Sequence, residues 1–236
     1  MEMTRAVRAV TVVLSIGVVL ATPFPSAAQQ NEEERAKSER VSDLLEILGA
    51  RDGAHIADLG SADGFYTLRI AKAVAPSGRA YGVDIDEKML ERMRQRAAAE
   101  SVGNLEAILA TADDPKLPEG QLDAVLIRNA YHEMPEYVRI LAAVKRSLKS
   151  GGRLIISESL HDNNRPLTRD QQVKEHEISL EIVERELTAA GFEIVSHDES
   201  FMRFTRPPPG GFWSWSRRNW GAGPPARSNT SPANSA

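Results

Sequence analysis

A glycine-rich segment near residue 60 has the residue types of a cofactor-binding loop. It is Asp58-Leu59-Gly60-Ser61-Ala62-Asp63-Gly64, and it directly follows an apolar run. An apolar run that ends in glycines and leads into an amphipathic segment is typical of a strand, a tight turn and a helix. Dinucleotide-binding loops have the pattern G-x-G-x-x-G, but counting from Gly60 the third glycine position holds Phe65. The loop therefore predicts a cofactor other than a dinucleotide, and Asp58 ahead of it favours a cationic ligand.

Further landmarks follow the loop in order. Asp84 ends the second predicted strand, where a carboxylate can accept hydrogen bonds from ribose hydroxyls. Asp113 begins a segment that continues with Leu117-Pro118 and Leu122-Asp123, and Gly151-Gly152 precede the fifth predicted strand. An acidic residue after strand two also occurs in enzymes that use NAD, so only the whole series separates the two kinds of cofactor site.

This series resembles the motifs of the class I S-adenosylmethionine (SAM) dependent methyltransferases, whose loop is G-x-(G/A)-x-G with an acidic residue two positions before it. The resemblance covers roughly residues 38–218 and is sharpest over 54–158. It implies SAM as the cofactor, with Asp84 at the ribose, Asp113 at the adenine amino group, and Arg128 with Asn129 at the methionine end. Ala62 occupies the position that allows glycine or alanine and adds only a methyl group, so we expect the loop to be competent. The resemblance assigns these residues to the cofactor: Asp58, Gly60, Ser61, Ala62, Gly64, Asp84, Ile85, Asp113, Arg128 and Asn129.

Two residues that follow predicted strands four and five are candidates for catalytic proton transfer. His132 lies in the loop after strand four, and an ordinary histidine pKa of about 6.5 suits proton transfer near neutral pH. Glu158 ends strand five. A histidine that only packs against the following helix is an equally open interpretation of His132.

Other titratable residues in this region favour simpler roles. Glu133 is expected at the start of the helix after strand four, and His176 on the solvated side of a later helix. Together with His161 on a polar loop, these histidines do not have the H-E-x-x-H spacing or a comparable metal motif. We therefore expect no metal site.

The elements that must position these residues alternate between apolar and amphipathic segments. This alternation predicts parallel βαβ units and an α/β fold, a doubly wound Rossmann-like sheet. The family implies seven strands, mostly parallel, and two apolar segments after Gly191 favour a C-terminal antiparallel hairpin. We expect strands at 54–59, 80–83, 105–109, 122–127 and 153–157, and helices at 64–74, 87–100, 135–148 and 171–190.

The ends of the chain differ from this pattern. Arg5 and Arg8 precede an apolar run and small residues at 26–28, which is typical of a signal peptide over 1–28. We expect export to the periplasm with no membrane span after cleavage; an uncleaved membrane anchor is the alternative. The remaining expected parts are an N-terminal helix over 29–50, the methyltransferase domain over 51–218 and a disordered Pro/Ser-rich tail over 219–236.

Composition limits the partners of the chain, and rival functions stay open, among them an NAD-dependent oxidoreductase. The chain has 236 residues, a net charge of −4 and no cysteine, which excludes disulfides and thiolate nucleophiles and argues against nucleic acid as a partner. The predicted function is in-line methyl transfer from SAM to a small-molecule acceptor. The alternative is an exported binding or scaffolding protein of the same fold, because SAM is made in the cytoplasm.

Overall fold

The computed structural model describes residues 27–160, 162–198 and 201. Short 3-10 turns at Tyr131–Glu133 and Asp162–Asn164 accompany the main elements. In chain order these elements are α1 (Ala27–Ser38), α2 (Val41–Leu48), β1 (His55–Leu59), α3 (Phe65–Val74), β2 (Arg79–Asp84), α4 (Glu87–Ala99), β3 (Leu105–Leu109), β4 (Leu122–Arg128), α5 (Tyr137–Ser147), β5 (Leu148–Ser157), α6 (Arg169–Lys174) and α7 (Leu180–Ala189).

The strands form one parallel sheet in the order β3-β2-β1-β4-β5. β1 lies at the centre, and the chain leaves it in one direction towards β2 and returns on its other side as β4. The carboxyl ends of β1 and β4 therefore separate at a point where the strand order reverses. In open α/β sheets this is where ligands bind.

Side chains alternate across each strand and supply two cores. Ile56 and Leu126 pack with α2 and α3 on one face, and Leu59 and Ile127 pack with α5 and α7 on the other. Because helices cover both faces, β1 and β4 are buried at every position except His55 and Asp123, which are half-buried. The doubly wound α/β class is confirmed, with five parallel strands.

The predicted seven strands and C-terminal hairpin are not found among the described residues. Residues 191–198 form no strand, and Val195 is 88% exposed, so this segment does not join the sheet as a further strand. The rest of the predicted hairpin lies outside the described residues. A groove of about 650 Å³ separates β5 from α7 and residues 192–197, next to the edge where further strands would pair.

Two of the predicted helices are each divided in the structure. The helix expected over 29–50 is α1 and α2, separated at Arg40, whose φ of 48° is incompatible with an α-helix. The helix expected over 171–190 is α6 and α7, separated at His176 with φ 56°, and Ser179 caps the second part. Both breaks are single residues with a left-handed backbone, and for that reason periodicity did not reveal them.

The predicted signal peptide lies almost wholly outside the described residues, as does the predicted tail 219–236, and both stay predictions. Among the helices of the described part, none has the length and hydropathy needed to cross a bilayer. α1 begins at Ala27, and its Glu32 pairs with Arg69 of α3 at 3.1 Å and Arg96 of α4 at 2.7 Å. Residues directly after the expected cleavage position are therefore part of the fold.

Candidate functional site

The two glycines of the loop allow protein elements to approach each other closely. Gly60 has φ 80°, and a Cβ added to it would lie 2.4 Å from the Cβ of Ala130 after β4. A Cβ on Gly64 would lie 2.5 Å from the Cγ of Met93 on α4. Any larger residue would push apart the β1 and β4 loops at Gly60, or α4 and the loop at Gly64.

Ala62 has a larger effect on the loop than an added methyl group. Its φ is 47°, in the left-handed region, which costs an alanine about 1–2 kcal/mol. Its N–H donates to Oδ2 of Asp84 at 2.8 Å, and Oδ1 of Asp84 accepts the N–H of Asp86 at 2.9 Å. The carboxylate of Asp84 is therefore fixed at the end of β2, and each oxygen keeps a second lone pair for a ligand hydroxyl.

Asp58 supports the loop from beneath. It is buried at the end of β1, and the hydroxyl of Thr67 in the first turn of α3 donates to it at 2.6 Å. Burial raises the pKa of Asp58 to about 6, with the Thr67 hydrogen bond opposing the rise and the charge of Asp84 adding to it. The immediate partner of Asp58 is thus α3, and its charge lies below the cofactor loop.

The surroundings of the loop fit SAM. The buried Oγ of Ser61 has no hydrogen-bond partner among the described residues and is available to a ligand atom. Ile85 and Leu109, at the ends of β2 and β3, are 66% and 42% exposed and offer apolar contact to a flat ring such as adenine. The negative charges of Asp58 and Asp84 beside the loop also suit a positively charged cofactor.

The structure pairs Asp113 with protein groups. It accepts a hydrogen bond from Thr111 Oγ1 at 2.7 Å and forms an ion pair with Arg139 of α5 at 2.7 Å. The Thr111 hydrogen bond lowers the pKa of Asp113. Its predicted contact with adenine stays a prediction.

Arg128 and Asn129 also have partners that no motif indicated. The guanidinium of Arg128 is buried and pairs with Glu39, between α1 and α2, and Glu39 also accepts the hydroxyl of Tyr66. Asn129 has φ 53°, and its Oδ1 accepts the hydroxyl of Ser159 at 2.8 Å. Burial raises the pKa of Tyr66. Sequence reasoning missed Glu39 because it lies 89 residues before its partner.

The two predicted catalytic residues lie together. His132 Nδ1 and Glu158 Oε2 are 2.7 Å apart, and both side chains are only 2% exposed. The other oxygen of Glu158 accepts the N–H groups of Ala130 at 3.0 Å and Tyr131 at 2.6 Å. Burial acts to lower the pKa of His132, but the hydrogen bond and charge of Glu158 outweigh it, and the pKa is raised. Ala130 connects this pair to Gly60 and the cofactor loop.

Glu133 differs from its predicted role, whereas His176 is exposed to solvent as expected, although it lies between α6 and α7. α5 begins at Tyr137, so Glu133 ends a 3-10 turn and does not start the helix. Its Oε1 lies 3.7 Å from His132 Nε2 and 3.8 Å from His176 Nδ1. The His132 and His176 rings are edge to face, with centroids 5.9 Å apart. No sequence spacing indicated this contact, and His161 lies outside the described residues.

Comparison with known proteins agrees with this geometry. Residues 50–207 match the sequence model of a family described as a methyltransferase domain. A demethylmenaquinone methyltransferase of Lactococcus lactis is 31% identical over 134 residues, 56% of this chain and 50% of that protein. One of Symbiobacterium thermophilum is 39% identical over 110 residues, 46% of this chain and 44% of that protein. The chain thus spans about half the length of these curated relatives.

Solved structures share the fold at low sequence identity. A SAM dependent methyltransferase from Aquifex aeolicus aligns with a TM-score of 0.61 at 22% identity, over 72% of this chain and 91% of that one. A phosphoethanolamine N-methyltransferase 2 of Haemonchus contortus, in complex with S-adenosyl-L-methionine, aligns with a TM-score of 0.56 at 18% identity, over 68% and 38%. At these identities the likeness concerns the fold alone.

Proposed function

The chain belongs to the class I SAM-dependent methyltransferases, and from this membership we propose that it methylates a small-molecule acceptor that must lose a proton. The observation that carries the proposal is the buried pair of His132 and Glu158, 2.7 Å apart, on the same edge of the sheet as the cofactor loop. A transferase for an acceptor without an ionisable proton needs no such pair.

Residues of the loop and of the neighbouring strand ends hold the cofactor. Ser61 offers its unpartnered hydroxyl, and Asp84 offers the free lone pairs of its carboxylate. The chemistry that bound SAM would supply is a methyl carbon on a positively charged sulfur: the nucleophile bonds to that carbon as the carbon–sulfur bond breaks and the sulfur leaves as a neutral thioether. Ile85 and Leu109 supply apolar contact at the ends of β2 and β3. The protein contributes alignment, and positioning of this kind is worth up to about 7–11 kcal/mol of the barrier.

His132 accepts the proton of the acceptor. Glu158 binds Nδ1, which fixes the tautomer with the hydrogen there and leaves the lone pair on Nε2. The N–H groups of Ala130 and Tyr131 in turn hold Glu158 in place. The resulting imidazolium is stabilised by the adjacent carboxylate, as required of a general base.

The relatives indicate which acceptor to test first. Two of them are demethylmenaquinone methyltransferases, whose names point to a quinone-type ring. A hydroxylated aromatic ring has an acidic proton, which is the kind of proton that a general base such as His132 removes. We therefore propose a hydroxylated aromatic small molecule, such as a naphthoquinol, as the acceptor class.

Calorimetric titration with SAM tests the part of the proposal that concerns cofactor binding. The wild-type chain should bind SAM with micromolar affinity, and Asp84→Ala should weaken binding by at least about tenfold, since it removes the ribose acceptor and the support of Ala62. Asp123→Ala is the matched control, because Asp123 binds the N–H of His55 at 2.8 Å on the opposite edge of the sheet. Absence of SAM binding by the wild type would refute the proposed function.

Turnover with labelled SAM and a panel of hydroxylated aromatic compounds tests the catalytic half. His132→Gln should lower turnover by about 100-fold or more while SAM affinity stays within about threefold. Unchanged turnover in this variant would refute the role of His132. Bound SAM without transfer to any acceptor of the panel would instead favour the binding-protein alternative.

We also propose that residues 1–28 direct export. The proposal rests on the basic and apolar segments of that part of the sequence. Fractionation of cells that express the full chain tests it: the protein should appear in the periplasm and begin after residue 28. A full-length protein in the cytoplasm would contradict it.

A further inference from the structure

A cluster of metal-binding side chains lies beside the His132–Glu158 pair. The ligand atoms of His132, Glu133 and His176 all lie within 4.8 Å of one another. Glu133 Oε1 is central, at 3.7 Å from His132 Nε2 and 3.8 Å from His176 Nδ1. A tetrahedral ion with bonds of about 2.0–2.2 Å holds its ligand atoms about 3.3–3.6 Å apart. A small inward movement of exposed side chains therefore completes the geometry.

His132 is already oriented as a metal ligand. Glu158 engages Nδ1 at 2.7 Å, so the Nε2 lone pair is the free one, on the side of Glu133. Histidines that ligate metals usually give their other ring N–H to a carboxylate, which fixes the ring and makes the ligating nitrogen more basic. Here Glu158 has that place, and it is itself held by backbone N–H groups of Ala130 and Tyr131.

The remaining ligands are accessible, and the local charge permits a cation. Glu133 and His176 are 65% and 78% exposed, so an ion can enter from solvent and keep open coordination positions. Arg169 is the nearby positive charge that acts on His132. Its guanidinium pairs with Glu186 at 2.8 Å, which balances that charge within the protein.

We propose that His132, Glu133 and His176 form a binding site for a divalent transition-metal ion of the Zn²⁺ type. Two imidazole nitrogens and one carboxylate favour Zn²⁺ and Co²⁺ over Mg²⁺ or Ca²⁺, which prefer oxygen ligands. The site was not predicted from the sequence because His176 is distant in the chain and reaches the cluster through its left-handed backbone, with φ 56°.

Metal binding has a consequence for catalysis that rests on the proposed function. Metal coordination and proton uptake both use the Nε2 lone pair of His132, so the two exclude each other. Stoichiometric Zn²⁺ should therefore slow methyl transfer to an acceptor that must lose a proton, by at least about tenfold, and a chelator should restore it. The metal site itself stands independently of that activity.

Titration of the full chain with Co²⁺ tests the site directly. The chain has no cysteine, so a visible Co²⁺ spectrum must come from nitrogen and oxygen ligands. We expect one Co²⁺ per chain, displaced by Zn²⁺ but not by Mg²⁺. His176→Gln and Glu133→Gln should each weaken Co²⁺ binding by at least about tenfold. Both side chains are exposed, so neither change should unfold the protein.

His197→Gln is the matched control. His197 pairs with Glu184 at 3.0 Å and is no part of the cluster, so this variant should bind Co²⁺ like the wild type. Three results would overturn the proposal: no stoichiometric Co²⁺ or Zn²⁺ binding, full binding in either ligand variant, or loss of binding in the control. SAM affinity should be measured on the same samples. Because His132, Glu133 and His176 do not belong to the cofactor loop, loss of the metal site would leave SAM binding intact, and failure of the metal proposal can be told apart from failure of the proposed function.

Discussion

The buried carboxyl of Asp58 makes stability depend on pH in an unusual direction. Its pKa is about 6 in the folded protein, against an ordinary value of 3.8. Between these values the folded state holds a proton that the unfolded state has released, so the free energy of unfolding falls as pH rises. A difference of about two pKa units corresponds to about 3 kcal/mol, lost between about pH 4 and pH 6.

Asp58→Asn isolates this contribution. The amide cannot ionise, so the stability of the variant lacks the pH-dependent loss that Asp58 causes. The variant is also less stable by a constant amount at every pH, because an amide accepts the Thr67 hydroxyl more weakly than a carboxylate does. Urea unfolding of both chains at several pH values measures the difference, and titration of all other groups cancels. Relative to the variant, the wild type should lose about 3 kcal/mol from about pH 4 to pH 7.5.

Thr67→Val provides a second measurement. It keeps the volume of Thr67 but removes the hydroxyl that holds the pKa of Asp58 down, so the loss of stability should continue to higher pH. If the curves of wild type and Asp58→Asn run parallel across the whole range, Asp58 has an ordinary pKa when folded, and the argument from burial is wrong.

Three further substitutions have defined outcomes. Gly60→Ala should destabilise the protein by about 2 kcal/mol in urea unfolding, because its Cβ meets Ala130, and the added Ala130→Gly change should recover part of the loss. Ala62→Gly should leave stability equal or up to about 1 kcal/mol higher, since relief of left-handed strain outweighs the added freedom of the unfolded chain; a loss above about 1 kcal/mol would contradict this. Glu39→Gln should cost about 3 kcal/mol in the same assay, because it leaves Arg128 buried without its counter-charge, and a loss below about 1 kcal/mol would mean that water replaces Glu39.

The parallel sheet and the position of the cofactor loop could be predicted from the sequence, because both depend on local patterns of residues. Strands β1 to β4 lie within one or two residues of the predicted spans, since buried parallel strands are short apolar runs bounded by turn residues. The contact between His132 and Glu158 was also foreseeable in outline, because both follow neighbouring strands at the same edge.

What the sequence could not show depends on single backbone conformations and on distant pairs. Arg40 and His176 interrupt predicted helices because they have positive φ angles, and neither residue type predicts such an angle. Glu39 reaches Arg128 from a segment far earlier in the chain, as a surface-type residue in an otherwise polar stretch. The sequence indicated a glycine at position 64 only as part of the cofactor loop. The structure shows a second reason, because a Cβ at this position would overlap the side chain of Met93.

The cofactor half and the proton-accepting half of the site are joined through one residue. The Cβ of Ala130 occupies the space that a side chain at Gly60 would need, and its N–H donates to Glu158 at 3.0 Å. A larger residue at Gly60 must displace Ala130, and that displacement moves a hydrogen-bond donor of the carboxylate that orients His132. The glycine therefore fixes the distance between the two halves as well as the shape of the loop. For the same reason, Gly60→Ala should lower turnover by more than its loss of SAM affinity explains, whereas a glycine needed only for cofactor contact would lower both equally.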